Sequence, residues 1–219
     1  MPAVTTTRQI TKKSSVWTSW HGEPTLDVLK AILGKVLVHE RRGKRVSGIV
    51  IEAEAYIGED DPACHAAPGP TRRNAPLYGP PGRVYVYLNY GMHYLVNVVT
   101  EAKGAPAAVL IRALAPLDGI PLMVKRRANG KPIHEADLCR GPGNLTRALG
   151  ITLTDNLLDL TLRPGSGQAS SRLYVEDRRM PRGQIAWGPR IGIRVGVDKP
   201  WRCWMAGHPS VSGPRTRRS

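Results

Sequence analysis

One stretch of this chain, Val50–Thr100, gathers the residue types that could hold a nucleic-acid base and act on it. Glu54 and Tyr56 stand in Ile51-Glu52-Ala53-Glu54-Ala55-Tyr56. His65 follows, then Tyr85-Val86-Tyr87-Leu88-Asn89-Tyr90-Gly91-Met92, then Asn97. The chain has seven Tyr, five Trp and no Phe. All the tyrosines except Tyr174 lie between Tyr56 and Tyr94. Like-charge proximity to Glu52 and partial burial in an apolar strand would both raise the pKa of Glu54, which suits a general base. Tyrosine faces supply stacking surfaces. Asn is uncommon in strands, so a buried Asn97 must be hydrogen-bonded or line a pocket. Arg112 sits in the apolar run Ala108–Leu114, where it pairs with an acid or contacts phosphate or a catalytic water.

The charge balance fits that chemistry. Lys+Arg number 32 against 17 Asp+Glu, a formal net charge of +15. Such an excess points to polyanionic partners and says nothing about fold. The cations are spread along the chain, at Arg41/Arg42/Lys44/Arg45, Arg72/Arg73, Lys125/Arg126/Arg127, Arg178/Arg179/Arg182 and Arg215/Arg217/Arg218. The acids are not: Glu52, Glu54, Glu59, Asp60 and Asp61 crowd the segment that holds the motif residues. Three widely spaced cysteines, Cys64, Cys139 and Cys203, argue against a disulfide framework and for a reducing compartment. No C-x-x-C occurs, and Cys64-His65 has no second close pair, so neither a metal site nor a cofactor is expected. No apolar run is long enough to span a membrane, and the N-terminus has no signal-peptide core.

The elements that must position these residues can be read from period and punctuation. Thr25 is a candidate cap for a helix carrying Leu29, Ile32 and Leu33 and ended by Gly34. Val36–His39 reads as a strand. Ile49–Tyr56 alternates, with Ile49, Ile51, Ala53 and Ala55 on one face and Glu52, Glu54 and Tyr56 on the other. Residues 58–83 form a long loop rich in Pro, Gly and Arg, a length that usually signals function or disorder. Val84–Leu88 is a strand with Tyr85 and Tyr87 on one face. Asn89-Tyr90-Gly91 is a tight hairpin turn, and Met92–Thr100 returns as a strand with His93, Leu95 and Asn97 on one face. Ala108–Leu114 is another strand. Helices are expected near Leu117–Ala128 and Asn144–Leu149, a mobile loop at Pro164–Ser171, and late strands at Leu173–Val175 and Arg190–Val197. The class is α+β: a single mixed domain around a curved antiparallel sheet with flanking helices. Residues 1–20 read as a flexible basic arm, 21–212 as the domain and 213–219 as a basic tail.

Tyr90 is the oddest of these placements, since turn tips favour small polar residues. It is either packed under the 58–83 loop or a wedge that enters DNA from the minor groove. Tyr56, Tyr85 and Tyr87 are core residues on the ordinary expectation for strand aromatics, and pocket walls on the other.

The segments Ile51–Tyr56, Pro81–Met92, Leu110–Leu114 and Leu138–Pro142, with the ending from Lys199-Pro200 to Val211-Ser212, together resemble the alkyladenine (3-methyladenine) DNA glycosylase family over roughly residues 24–212. The resemblance implies a repair enzyme that flips alkylated or deaminated purines out of double-stranded DNA and hydrolyses the N-glycosidic bond. Glu54 matches the carboxylate that activates the attacking water, and Arg112 an arginine that orients the site. Tyr56 on one side, with His65 and Tyr87 on the other, match the walls around the flipped base. Asn97 matches the side chain that crowds the guanine 2-amino group. Tyr90 matches the residue that fills the vacated stack, with Met92 beside it. A monomer acting with the genome inside the cell is implied.

A lyase route needs an amine nucleophile, and no Lys occurs between Lys44 and Lys103. Pro2 as an N-terminal amine is the remote alternative. The rival from another class is a non-catalytic basic DNA- or RNA-binding protein, which explains the charge but not the set Glu54, Tyr56, Tyr90 and Asn97.

Overall fold

The computed structural model describes residues 15–16, 23–160 and 171–213. The expected N-terminal arm, apart from the backbone of 15–16, lies outside the described residues. So do the tail beyond Gly213 and most of the Pro164–Ser171 loop.

The strands are β1 (Ser15–Val16), β2 (Val36–Arg41), β3 (Lys44–Ile57), β4 (Val84–Asn89), β5 (His93–Val99), β6 (Ala107–Asp118), β7 (Ser171–Asp177), β8 (Ile185–Gly188) and β9 (Arg202–Met205). The helices are α1 (Thr25–Ile32), α2 (Ile120–Arg127), α3 (Glu135–Leu138) and α4 (Pro142–Leu149). Short 3-10 turns occupy Ala75–Tyr78 and Leu153–Asp155. The main sheet runs β1-β7-β2-β3-β6-β5-β4, and β9 joins it through β3 while pairing β8. Every pairing is antiparallel, which gives the α+β single-domain class expected from the sequence.

β3 organises the sheet. Its first half pairs β2 from Val36↔Ile49 to Arg41↔Lys44, and its second half pairs β9 at Glu52–Glu54. β6 follows it along the other side from Ser47 to Ile57. One face of this sheet carries the main core. Val28, Leu29, Ile32 and Leu33 from the first helical segment meet Ile51, Ala53 and Ala55 of β3, and Leu145, Ala148 and Leu149 of α4 close the same core. The other face carries a smaller cluster of Cys64, Ala66, Leu77, Tyr85, Val99 and Ala108, with Tyr56, Tyr78 and Tyr87 packed against it. That second cluster lies where the 58–83 loop crosses the sheet.

Several expectations need correction. Thr25 does not cap α1; it is the first helical residue, and its side chain makes no cap bond. Its N–H and hydroxyl donate to Glu101 Oε1 at 2.7 and 2.6 Å, so a carboxylate distant in sequence satisfies that helix end. β6 extends to Asp118, which delays α2 to Ile120. Arg190–Val197 is not a strand. Its apolar alternation is interrupted by Gly192 and Gly196 at φ of 81° and 61°, and Val195 and Val197 point to solvent. The expected strand at Leu173–Val175 is present within β7, and the other late strands are β8 and β9.

Candidate active site

Glu54 lies in the part of β3 that is bonded along both edges, and its side chain has no solvent exposure. Just before it along β3, the β3–β6 register slips: Val50 pairs Leu114, Glu52 pairs Ala113 and Ala53 pairs Ile111. Ile51 and Arg112 are thereby left without a partner, and such bulges re-aim side chains. Arg112 reaches both acids of β3, its Nε donating to Glu52 Oε1 at 3.1 Å and its Nη1 to Glu54 Oε2 at 3.0 Å.

The two carboxylates share that arginine but are tuned apart. Burial pushes both up. On Glu52 the Ser212 hydroxyl (2.7 Å) and amide (2.6 Å), together with Arg112 and Arg202, outweigh burial and hold its pKa below the ordinary range. On Glu54 burial prevails over Arg112, the Ile191 amide and the Tyr56 hydroxyl, and its pKa is raised. One arginine thus joins a carboxyl held below the ordinary range and a carboxyl raised above it. The Ile191 N–H donates to Glu54 Oε1 at 2.7 Å, and the Tyr56 hydroxyl donates to Oε2 at 2.9 Å. Burial and the adjacent Glu54 charge raise the Tyr56 phenol, which keeps it a donor. A carboxylate has about four acceptor sites; these three bonds leave the second lone pair of Oε1.

The donors to Glu54 form part of a cavity of about 290 Å³. Tyr56, Arg112 and Ile191 line it, while Glu54 stands directly behind them. His65, Tyr87, Asn97 and Tyr90 also line it, with Tyr85, Leu110 and Pro142. His65 is brought in by the 58–83 loop. Asn74 pins that loop from within, its Nδ2 donating to the carbonyls of His65 (2.7 Å) and Gly69 (2.9 Å). His65 Nδ1 is 2.9 Å from the Tyr85 hydroxyl, and its ring meets Tyr87 edge-on at a centroid distance of 4.4 Å. Burial, helped by the Arg73 charge, lowers the His65 pKa, so the imidazole is neutral near pH 7. Asn97, nearly buried, donates from Nδ2 to the Tyr85 carbonyl at 3.1 Å.

The rim holds the hairpin tip. Met92 N–H donates to the Asn89 carbonyl at 3.1 Å, and Tyr90 and Gly91 both have positive φ, 48° and 69°. Glycine takes such a backbone freely; tyrosine takes it at a cost. Tyr90 is 84% exposed and Met92 73%. Tyr90 is therefore not packed under the 58–83 loop, and Met92 is the one residue singled out from the sequence that stands apart from both the cavity and Glu54.

Asp61 and Arg190, which the sequence did not single out, lie behind the wall formed by Tyr56 and Ile191. They form a pair with both side chains fully buried, at 2.5 and 2.8 Å, and Arg190 lies over the Tyr56 ring at 4.7 Å. Asp61 was visible only as one of a run of acids, and Arg190 fell in the segment misread as a strand. The Ile191 amide carries no side-chain signal.

No helix among the described residues is long and apolar enough to cross a membrane. Residues 19–209 match the family model described as Methylpurine-DNA glycosylase (MPG). A protein of Rubrobacter xylanophilus is 48% identical over 86% of this chain and 92% of its own length. One of Burkholderia lata is 45% identical over 88% of each chain, and one of Methanocella arvoryzae is 43% identical over 88% of this chain and 93% of its own. All three carry the provisional name 3-methyladenine DNA glycosylase. A family model spanning most of the residues, and relatives this similar over nearly their full length, make the chain a member of the methylpurine-DNA glycosylase family, with the role of a DNA glycosylase.

Proposed function

We propose that this protein turns an alkylated or deaminated purine nucleotide out of duplex DNA and hydrolyses its N-glycosidic bond with a water activated by Glu54. The products are the free base and an abasic site. The observation that carries this reading is Glu54, a solvent-excluded carboxylate with a raised pKa whose three hydrogen-bond donors all line the cavity.

A base inside a duplex cannot reach such a cavity, so the nucleotide must be extruded. The basic surface supplies sequence-independent phosphate contacts. Tyr56 on one side and His65 with Tyr87 on the other provide stacking surfaces. Their electron-rich faces favour purines made cationic by N3- or N7-alkylation. The remaining acceptor site on Glu54 Oε1 takes a proton from water as C1′ gains oxocarbenium character, and the carboxylate charge stabilises that cation. The described cavity wall has no lysine, so the reaction ends at hydrolysis without strand cleavage.

The test is incubation of methylated duplex DNA with the protein and chromatography of what is released. Free methylated purines and alkali-labile sites in unbroken strands are expected. Tight DNA binding with no base released, even with protein in excess, would instead favour the non-catalytic reading.

Two residues yield separate predictions. Tyr90→Ser should melt within about 0.5 kcal/mol of wild type, as exposed positions do, but give a weaker flipping signal from a fluorescent base analogue beside the lesion. Base–aromatic stacking is worth about 1–3 kcal/mol, so flipping should weaken by roughly one to two orders of magnitude. A large stability loss with normal flipping would make Tyr90 a packing residue. Asn97→Ala should weaken discrimination against guanine more than it slows excision of adenine-derived lesions, because an excluding group is removed. The comparison is of rates on hypoxanthine and unmodified guanine in the same duplex; an unchanged ratio rejects the role.

A further inference from the structure

The 58–66 loop and the segment 190–193 are distant in sequence, yet they meet behind one wall of the cavity. Their junction is charged and closed to solvent. Arg190 Nη1 and Nη2 donate to Asp61 Oδ2 and Oδ1 at 2.5 and 2.8 Å. The same guanidinium donates to the Ala55 carbonyl of β3 (3.1 Å) and to the Gly196 carbonyl (3.2 Å). Asp61 is itself held by the amides of Ala63 (3.2 Å) and Ile57 (3.3 Å). Arg190 packs between rings, 4.7 Å from Tyr56 and 5.3 Å from Trp201. Its Nε is buried with no hydrogen-bond partner among the described residues, a defect that a purely structural position would be better without. What the pair touches points to a role for it. Tyr56 and Ile191, the residue after Arg190, supply two of the three hydrogen bonds on Glu54.

We propose that Asp61 and Arg190 are a positioning pair for base excision: by joining the two segments behind Tyr56, they hold the Tyr56 hydroxyl and the Ile191 amide on Glu54 and the His65 loop against the flipped base. The inference rests on the cavity being the excision site. Neither residue lines the cavity. Both loops lack a sheet ladder at this point, so the side-chain fork does the fixing that backbone pairing does elsewhere. Misplacement of a reacting group by about 1 Å can cost on the order of a hundredfold in rate.

The pair also contributes charge. Glu54 is faced by Arg112 from β6, by Glu52 and Tyr56 from its own strand, and by Tyr87 from β4. Arg202 of β9 is its register partner, and Arg190 adds a further positive charge. Removing the Asp61 charge while Arg190 stays in place leaves a net positive charge near Glu54 that favours its ionised form, so the acid limb of the pH–rate profile should move downward.

The experiment is single-turnover release of base from methylated duplex DNA by the full chain, with Asp61→Asn and Arg190→Lys beside wild type. The Asp61→Asn amide places a donor against Arg190 with almost no change in shape. It should slow release by about tenfold to a hundredfold, lower the acid limb, and leave affinity for undamaged duplex within about twofold, because the variant touches no phosphate-binding residue. Arg190→Lys keeps the charge but not the fork; it should slow release while the acid limb stays in place. Rates and acid limbs equal to wild type in both variants would overturn the proposal. So would rate losses that track only the fraction of protein folded. A wild-type protein that releases no base fails differently, since it removes the excision reading itself.

Discussion

Replacing Glu54 by Gln should lower single-turnover base excision by about 10²–10⁴ while lesion DNA still binds. The substitution keeps the shape of the side chain but removes the charge and the basic oxygen. It has a local cost, because both carboxylate oxygens now accept, from the Ile191 amide on one and from Tyr56 and Arg112 on the other. The amide nitrogen must face either the Ile191 amide or Tyr56 and Arg112 together, and neither Arg112 nor the Ile191 amide can accept. Tyr56 can turn its hydroxyl to accept, so the stability loss should stay near the 1–3 kcal/mol of one mismatched buried group. On the proposed reading binding rests on the basic surface and the rim, so it should persist. The same carboxylate fixes the pH dependence. Glu54 must be ionised to take a proton, and burial raises its pKa. Wild-type excision should therefore fall as pH drops through an inflection above the ordinary glutamate value of about 4.3, and this limb should be missing from the residual activity of Glu54→Gln. Near-normal excision by the variant, or an unchanged limb, contradicts the assignment.

The largest stability effect should come from Arg112→Met. Arg112 is the counter-ion that bridges two carboxylates with no solvent exposure. Removing one partner of a buried ion pair typically costs about 3–5 kcal/mol, because a charge is left uncompensated. Glu52 keeps Arg202 and Ser212; Glu54 loses its cation. For a domain of this size the melting temperature should fall by roughly 6–20 °C. The sign of the pH effect separates charge from packing. A carboxyl whose folded pKa lies above its unfolded value costs stability when ionised; the cost is full above the folded pKa, shrinks as pH falls below it and is gone below the unfolded value. Without Arg112 the Glu54 pKa rises further, so the deficit against wild type should be greatest near neutrality and shrink at mildly acid pH. Urea unfolding at the two conditions measures this. A deficit independent of pH would mean that Arg112 acts through packing alone.

Much of this site could be read from the chain because strand alternation is local. Glu52, Glu54 and Tyr56 share a face, as do Tyr85 with Tyr87 and Leu95 with Asn97, and the Asn89-Tyr90-Gly91 turn follows from residues that tolerate positive φ. What stayed hidden depends on long-range pairing. The bulge that turns Arg112 onto both acids is a property of the β3–β6 register. β9 docks on Glu52–Glu54 from about 150 residues away, and the Ile191 amide arrives from a segment whose apolar spacing imitated a strand. The end of α1 is completed by Glu101, which nothing near Thr25 signals.

The position of the damaged base in a complex tests the central claim most directly. A crystal structure of the Glu54→Gln variant on a duplex with one alkylated purine would show it without turnover. The base is expected in the cavity between Tyr56 and the His65–Tyr87 side, with its C1′ facing residue 54 and the Tyr90 ring in the stack it left. A lesion still paired within the helix, with the cavity empty and Tyr90 in solvent, would contradict the account.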